Sequence, residues 1–75
     1  MTRLPTVNAR KVIAALKRAG FEEVRQRGSH LYFWHAVRKL ETCVPTHGGD
    51  DLARSLVRAI LQQASLTEDE FRELL

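Results

Sequence analysis

The sequence predicts an α+β fold, a two-layer sandwich in which helices cover one face of a three-stranded antiparallel sheet. Three observations lead to this class. Apolar residues recur with helical spacing early in the chain, residues 22 to 44 alternate with the period of strands, and a leucine-rich helical stripe follows Gly48-Gly49. The predicted order is helix, three strands, helix and a short last helix, and residues 1 to 75 are expected to form a single domain.

The first helix is predicted over residues 8 to 19. Its apolar stripe consists of Ala9, Val12, Ile13, Leu16 and Ala19. Asn8 or Thr6 is expected to cap its start, because either side chain can accept a hydrogen bond from a free backbone N–H. Gly20 lies where a left-handed residue would end the helix, and Phe21 would then pack back on it.

The middle of the chain predicts a three-stranded meander. A strand over residues 22 to 27 is followed by the turn Gly28-Ser29 and by a strand over residues 30 to 35. A third strand is predicted over residues 39 to 44 and is expected to stop at Pro45, since proline cannot donate to the ladder.

The alternation in the second strand predicts which side chains share a face. If Leu31 and Phe33 pack on the helices, His30 stands on the opposite face of the sheet. Tyr32 and Trp34 share the face of His30. These two aromatic residues either stack on RNA bases or form a patch that docks a protein partner.

The second helix is expected to open at residues 48 to 51, with Asp50 or Asp51 as its cap. Its inward stripe is predicted to consist of Leu52, Leu56, Ile60, Leu61 and Ala64. Thr67 and Glu70 have the spacing of a capping box and predict the short last helix. The resulting αβββα order is that of a double-stranded-RNA-binding domain, although a fold by itself does not determine a function.

The composition is that of a globular domain with one basic part. The chain has 75 residues, with 12 Lys and Arg, 9 Asp and Glu, and a formal net charge of +3. Residues 1–49 carry a net charge of +6 and residues 50–75 a net charge of −3, so the basic part suits a polyanionic partner. The single cysteine, Cys43, excludes an intrachain disulfide and indicates a reducing, cytoplasmic location. No apolar run is long enough for a membrane span.

Histidines are the candidate catalytic groups, because the ordinary pKa of an imidazole, about 6.5, lies near neutrality. His30 follows the turn Gly28-Ser29, whose backbone N–H groups could approach a phosphate. Arg25, Arg27 and Lys39 are the cations that the predicted sheet brings near it. An imidazole beside such cations suits ribonucleolytic cleavage without a metal, in which a base takes the 2′-OH proton and cations stabilise the developing charge. A purely structural His30 is the alternative.

The remaining histidines and the cysteine are weaker candidates. His47 precedes a predicted helix N-terminus, which could attract a phosphate. His35 is expected to be a surface residue, and Cys43 a small buried hydrophobic residue. No metal site is predicted, because the histidines and Cys43 lack the short-range spacing of metal ligands.

The segment from Lys17 to His30 reads Lys-Arg-Ala-Gly-Phe-Glu-Glu-Val-Arg-Gln-Arg-Gly-Ser-His. It resembles the signature of HicA-type messenger-RNA interferase toxins, in which Gly-Phe is followed by Arg and then by Gly-Ser-His. The resemblance continues through Val44-Pro45 and His47 into the helical residues 55 to 61.

The resemblance implies a toxin of a type II toxin–antitoxin pair with a fold like that of double-stranded-RNA-binding domains. It implies an endoribonuclease that uses no metal or other cofactor, in which His30 is catalytic and Gly28 and Ser29 support it. His47 matches a motif position with a role in RNA binding or proton transfer.

The resemblance also implies partners. These are messenger RNA and a HicB-type antitoxin, with DNA contacted only through the antitoxin complex and no membrane contact. Inhibition would require the antitoxin to cover the His30 face, where Tyr32 and Trp34 offer apolar anchors.

The residues alone leave two other functions open. One is a non-catalytic RNA-binding module that uses the same basic face and leaves the RNA intact. The other is a small protein-interaction domain, in which the aromatic face of the sheet is an interface and the basic charge only increases solubility.

Overall fold

The protein has one layer of strands and one layer of helices. The computed structural model describes residues 4–46 and 49–75, and its sheet has the antiparallel order β1-β2-β3. The strands are β1 (Glu22–Arg27), β2 (His30–His35) and β3 (Leu40–Pro45). The helices are α1 (Ala9–Arg18), α2 (Arg54–Gln63) and α3 (Glu68–Leu74). This order confirms the predicted fold class, including the short last helix.

Helix α1 lies within the predicted range of residues 8 to 19, of which the first and last are its N-cap and C-cap. The Asn8 side chain caps its start by accepting a hydrogen bond from the backbone N–H of Lys11 at 3.0 Å. At the other end Gly20 has a positive φ of 100°, and the N–H of Phe21 donates to the carbonyl of Leu16 at 3.0 Å. This Schellman arrangement directs Phe21 into the core, where it is buried.

The hydrophobic core lies between the helices and the β2–β3 side of the sheet. Phe33 in β2 and Val44 in β3 are fully buried, so the face of β2 predicted to be the core face is confirmed. Thr42 is also buried on this face, and its hydroxyl donates to Gln63 Oε1 at 2.9 Å, which satisfies its hydrogen bonding. Other core members come from the helices and include Val12, Leu16, Val57, Ile60, Leu61 and Phe71.

Strand β1 differs from the other two strands because all six of its residues are exposed. It forms one edge of the sheet, and its pairing with β2 is irregular between Glu23 and Arg25. A β-bulge and charged side chains are common means of protecting an edge strand from pairing with another chain. Because the bulge adds one residue to β1, Glu22 and not Glu23 shares the face of Arg25 and Arg27.

Helix α2 begins later than predicted. Its first residue is Arg54, and its N-cap is Ala53, which makes no side-chain capping bond; the expectation that Asp50 or Asp51 caps the helix is therefore wrong. The reason is tertiary, because the N–H of Leu52 donates to the carbonyl of Val7 at 2.8 Å and holds this segment extended.

The inward stripe of α2 also differs from the predicted one. Val57 is buried and Leu56 is 36% exposed, so Val57 takes the place predicted for Leu56. Ile60, Leu61 and Ala64 are buried as predicted.

Helix α3 begins with the predicted capping box. The Thr67 hydroxyl accepts from the N–H of Glu70 at 3.0 Å, and the Glu70 carboxylate accepts from the N–H of Thr67 at 2.8 Å. The hydrogen bond from the backbone N–H of Thr67 to the carboxylate lowers the pKa of Glu70, because it favours the charged form. Phe71 on the inner side of this short helix is fully buried.

Candidate active site

The candidate site lies on the outer sheet face, which we define as the face of the sheet turned away from the helices. Side chains alternate along β2, and because Phe33 is buried, its even-numbered residues point to this outer face. The pairing registers place nine residues on it: Glu22, Arg25, Arg27, His30, Tyr32, Trp34, Glu41, Cys43 and Pro45.

His30 and Arg27 are brought together as predicted. They are direct partners in the pairing of β1 with β2, and both are exposed. Side chains of directly opposed residues in an antiparallel pair have Cβ atoms about 4.5–5.5 Å apart. On its other side His30 is paired with Pro45, at the end of β3. These three residues form what we call the His30 end of the outer sheet face.

The turn that leads into His30 is held on both of its carbonyl groups. Gly28 has a positive φ of 58°, which glycine adopts without strain. The side-chain amide of Gln26 donates to the carbonyl of Gly28 at 3.0 Å. Thr46 donates to the carbonyl of Ser29 twice, from its backbone N–H at 2.6 Å and from its hydroxyl at 2.9 Å.

Gln26 and Thr46 were missed by the sequence reasoning. Nothing in the spacing of residues marks a side chain that bonds to a backbone carbonyl across a turn. The one available signal is that Thr46 directly precedes the matched position His47. His47 itself lies outside the described residues.

Arg25 occupies the middle of the outer sheet face. Its guanidinium carbon lies 4.3 Å from the centre of the Tyr32 ring, which is cation–π geometry. Its Nη1 atom is 3.8 Å from Glu41 Oε2, and both side chains of this ion pair are about half exposed. Such an exposed pair is weak, at about 0–1 kcal/mol. Arg25 is thus partly engaged within the protein.

Trp34 lies at the other end of the outer sheet face, between two carboxylates. Its pairing partners are Glu22 on β1 and Glu41 on β3, so all three side chains stand in one row. We call this row the Trp34 end. It has no cation in the row itself, whereas the His30 end carries Arg27.

Lys39 does not join His30. It lies in the turn after β2, with a positive φ of 58°, beside the pair formed by His35 and Leu40. That pair lies five residue steps along β2 from His30, which corresponds to about 16 Å along the strand. The expectation that Lys39 lies within reach of His30 is therefore wrong, because β2 and β3 pair along their full length.

Comparison with known families identifies the chain. A family model described as the HicA toxin of bacterial toxin–antitoxin systems matches residues 9–66. The chain belongs to the HicA toxin family. The matched segment includes α1, the whole sheet and α2, and therefore every residue of the outer sheet face. No curated protein matches the chain.

His35 in this HicA-family toxin is a packing residue and not the surface residue that was predicted. Its ring meets Phe21 edge-on, with centroids 5.1 Å apart and an interplanar angle of 77°. Its Nδ1 atom accepts a hydrogen bond from the N–H of Arg38 at 3.1 Å. His35 faces the helices because it is an odd-numbered residue of β2, as Phe33 is.

Cys43 also differs from its predicted place. It is half-buried and lies on the outer sheet face opposite Tyr32, and is not a core residue. Within residues 4–46 and 49–75 no three His, Cys, Asp or Glu side chains are grouped so as to hold a metal ion. None of the helices described is long and apolar enough to cross a membrane.

Proposed function

We propose that this HicA-family toxin is an endoribonuclease, an mRNA interferase, in which His30 is the catalytic residue. The observation that supports this most strongly is the pairing of His30 with Arg27 on an exposed face, directly after a turn whose carbonyls are fixed. An imidazole and a guanidinium that share one exposed face can act together on a phosphodiester. Both groups can do so without any movement of the strands that carry them.

The proposed reaction is an internal phosphoryl transfer. His30 acts as general base or general acid: a base removes the proton from the 2′-OH, the 2′ oxygen attacks the adjacent phosphorus, and the bond from phosphorus to the 5′ oxygen breaks. The leaving 5′ oxygen takes up a proton, from an acid or from water. The products are a 2′,3′-cyclic phosphate and a 5′-OH. Arg27 stabilises the negative charge that grows on the phosphate oxygens.

The RNA backbone is proposed to bind along the cationic part of the sheet. Arg27 contacts the phosphate nearest to His30, and Arg25 contacts a neighbouring phosphate after it exchanges Glu41 for the RNA. Lys39 is proposed to bind a phosphate farther along the strand direction. His47, at the matched motif position, is proposed as a further RNA contact.

The partner of the toxin is proposed to be a HicB-type antitoxin that covers the outer sheet face. Tyr32 and Trp34 are half-buried aromatic residues on that face, and aromatic side chains commonly dominate binding energy in protein interfaces. DNA is proposed to be contacted only through the toxin–antitoxin complex. The site of action is proposed to be the cytoplasm, where messenger RNA is translated.

The test is a cleavage assay on a defined RNA in buffer that contains EDTA. The proposal expects cleavage, with products that carry 2′,3′-cyclic phosphate and 5′-OH ends, and growth arrest when the toxin is expressed without its antitoxin. Cleavage that strictly requires added Mg²⁺, or products with 5′-phosphate ends, would contradict the mechanism. An antitoxin gene adjacent to the gene of this chain would support the proposed partner.

A second candidate is an RNA-binding module that does not cleave. The observation in its favour is the exposure of all of β1, which presents Arg25 and Arg27 without any need for chemistry at His30. This module would bind RNA with a steep salt dependence and leave it intact. Binding without cleavage by the unmodified protein would therefore favour it.

A further inference from the structure

We propose that Gln26 and Thr46 are positioning residues that hold the backbone N–H of Ser29 toward the outer sheet face, where it donates a hydrogen bond to the phosphate undergoing cleavage. The inference rests on the proposed function, since it concerns the same site. It adds to that site the side chains of Gln26 and Thr46 and the backbone N–H of Ser29. None of these groups is hydrogen-bonded to the His30 side chain.

Gly28 and Ser29 form a two-residue connection between the paired residues Arg27 and His30. Gly28 has a positive φ of 58°, and Ser29 is not among the residues with positive φ. A glycine at the first turn position followed by a residue of negative φ is the arrangement of a type II′ turn.

Gln26 decides which way the peptide between Gly28 and Ser29 points. It is paired with Leu31, and therefore lies on the helix side of the sheet and not on the outer face. Its amide donates to the Gly28 carbonyl at 3.0 Å, so this carbonyl is directed toward the Gln26 side. In a trans peptide the N–H points away from the carbonyl. The N–H of Ser29 is thus directed to the opposite side, which is the face that carries Arg27 and His30.

The N–H of Ser29 is also available. Within residues 4–46 and 49–75 it donates to no backbone or side-chain acceptor. Gly28 beside it is open toward the described residues, because a Cβ placed there would meet none of their atoms within 4 Å. An unused donor in open space next to a cation suits a phosphate oxygen.

Thr46 fixes the next peptide, between Ser29 and His30. Two donors of Thr46 meet the Ser29 carbonyl, at 2.6 and 2.9 Å. Because both peptides that flank Ser29 are held, its backbone has little freedom to rotate. The Cα of His30 belongs to the second of these peptides, so its position is held as well. Preorganised donors of this kind act in the transition state without reorganising.

The experiment compares two nearly isosteric variants with the unmodified toxin. Thr46→Val removes the hydroxyl, and Gln26→Glu removes the amide donor. For each, the single-turnover cleavage rate is measured, together with the Kd for an RNA that carries a 2′-deoxynucleotide at the cleavage site. We expect the cleavage rate to fall about 10- to 100-fold and the Kd to change less than about threefold.

Matched controls separate positioning from folding and charge. Thr46→Ser keeps a hydroxyl and should restore most of the lost rate. Gln62→Glu adds the same charge on the exposed surface of α2 and should cleave as the unmodified protein does. Thermal unfolding of each variant identifies any loss of rate that comes from unfolding.

The inference is overturned if folded Thr46→Val and Gln26→Glu both cleave at the unmodified rate, or if only their Kd changes. Its failure is distinguishable from that of the proposed function by His30→Ala in the same assay. If His30→Ala still cleaves, the proposed function fails. If His30→Ala is inactive while both turn variants are fully active, only the role of Gln26 and Thr46 fails.

Discussion

The two ends of the outer sheet face are built on the same strand and have opposite character. At the His30 end β2 presents an imidazole opposite Arg27, whereas at the Trp34 end it presents an indole between Glu22 and Glu41. Carboxylates repel a phosphate and a guanidinium attracts it, so the proposed RNA backbone would be directed toward the His30 end. The net charge of the whole chain does not reveal this contrast between the two ends, because His30 and Trp34 lie only four positions apart in β2.

The pairing register of the strands explains how one face of the sheet can have a cationic end and an acidic end. In an antiparallel sheet each residue of the central strand has one partner on either side, so the chemistry of a row is set by three residues from three strands. The row between the two ends contains Tyr32 with Arg25 above its ring, and Arg25 reaches Glu41 of the Trp34 end. Arg25 therefore connects the middle row to the Trp34 end.

The largest difference in cleavage activity is expected between variants of the two arginines of β1. Arg27→Ala should lower kcat/KM for RNA cleavage by about 100-fold, because it removes the cation paired with His30. Arg25→Ala should lower it only a few-fold, since that guanidinium is already engaged by Tyr32 and Glu41. The measurement is steady-state cleavage of one defined RNA by both variants. Equal losses would contradict the division of the face into two ends.

The second prediction concerns partner binding at the Trp34 end. Trp34→Ala should weaken the complex with the antitoxin by about 30-fold or more, since a large aromatic side chain is typical of an interface hot spot. Cleavage of RNA by the free toxin should change only a few-fold. Calorimetric titration with the antitoxin gives the first value. If cleavage fell and antitoxin affinity did not, Trp34 would instead be a platform for an RNA base.

The third prediction compares two glycines that adjoin the two ends. Gly20→Ala should destabilise the fold by about 2 kcal/mol or more, because a residue with a side chain is strained at positive φ. In addition, the new Cβ would lie 2.8 Å from Nε2 of His35. Gly28→Ala should cost less, about 1–2 kcal/mol, because its φ is positive but a new Cβ there would meet no atom of residues 4–46 or 49–75 within 4 Å.

The control for the glycine comparison is the double variant Gly20→Ala/His35→Ala, measured by urea unfolding. Removal of the imidazole relieves the contact with the new Cβ, so the loss caused by Gly20→Ala should be smaller in the His35→Ala background. If the two losses were additive, the contact with His35 would not contribute to the cost.

The smallest effect is expected from neutralising the Trp34 end. Glu22→Gln with Glu41→Gln should increase RNA affinity about two- to threefold at low salt, because it removes repulsion and frees Arg25 from its ion pair. Glu23→Gln is the matched control, since Glu23 is exposed on the same strand but is paired with Phe33 on the other face. A decrease in RNA affinity would contradict the proposed direction of the RNA.

Local signals in the sequence predict most of this fold. The cap at Asn8, the left-handed Gly20 and the alternation of β2 are short-range features. They correctly predicted the start of α1, its end and the core face of β2. The start of α2 was not predictable in this way, because the N–H of Leu52 bonds to Val7, which lies far away in the chain. Tertiary hydrogen bonding there overrides the capping signal of Asp50 and Asp51.

The candidate site was predictable in part for a related reason. Alternation along β2 is enough to group His30 with Tyr32 and Trp34, and the short turn brings Arg27 opposite His30. The distance between Lys39 and His30 depends on the length over which β2 and β3 pair, and the composition of the chain does not determine that length. The packing of His35 depends on the position of α1 relative to the sheet, since its ring meets Phe21 just after that helix.

The most direct test of the account is the cleavage rate of His30→Ala on a defined RNA, measured beside His35→Ala and with folding of both variants verified by circular dichroism. His30→Ala is expected to lose activity by at least about 100-fold, because proton transfer in the cleavage step loses its proposed general base or general acid. His35→Ala, which alters a packing contact on the other side of the sheet, is expected to cleave within a few-fold of the unmodified toxin. Cleavage by folded His30→Ala at the unmodified rate would contradict the assignment of the active site to the His30 end.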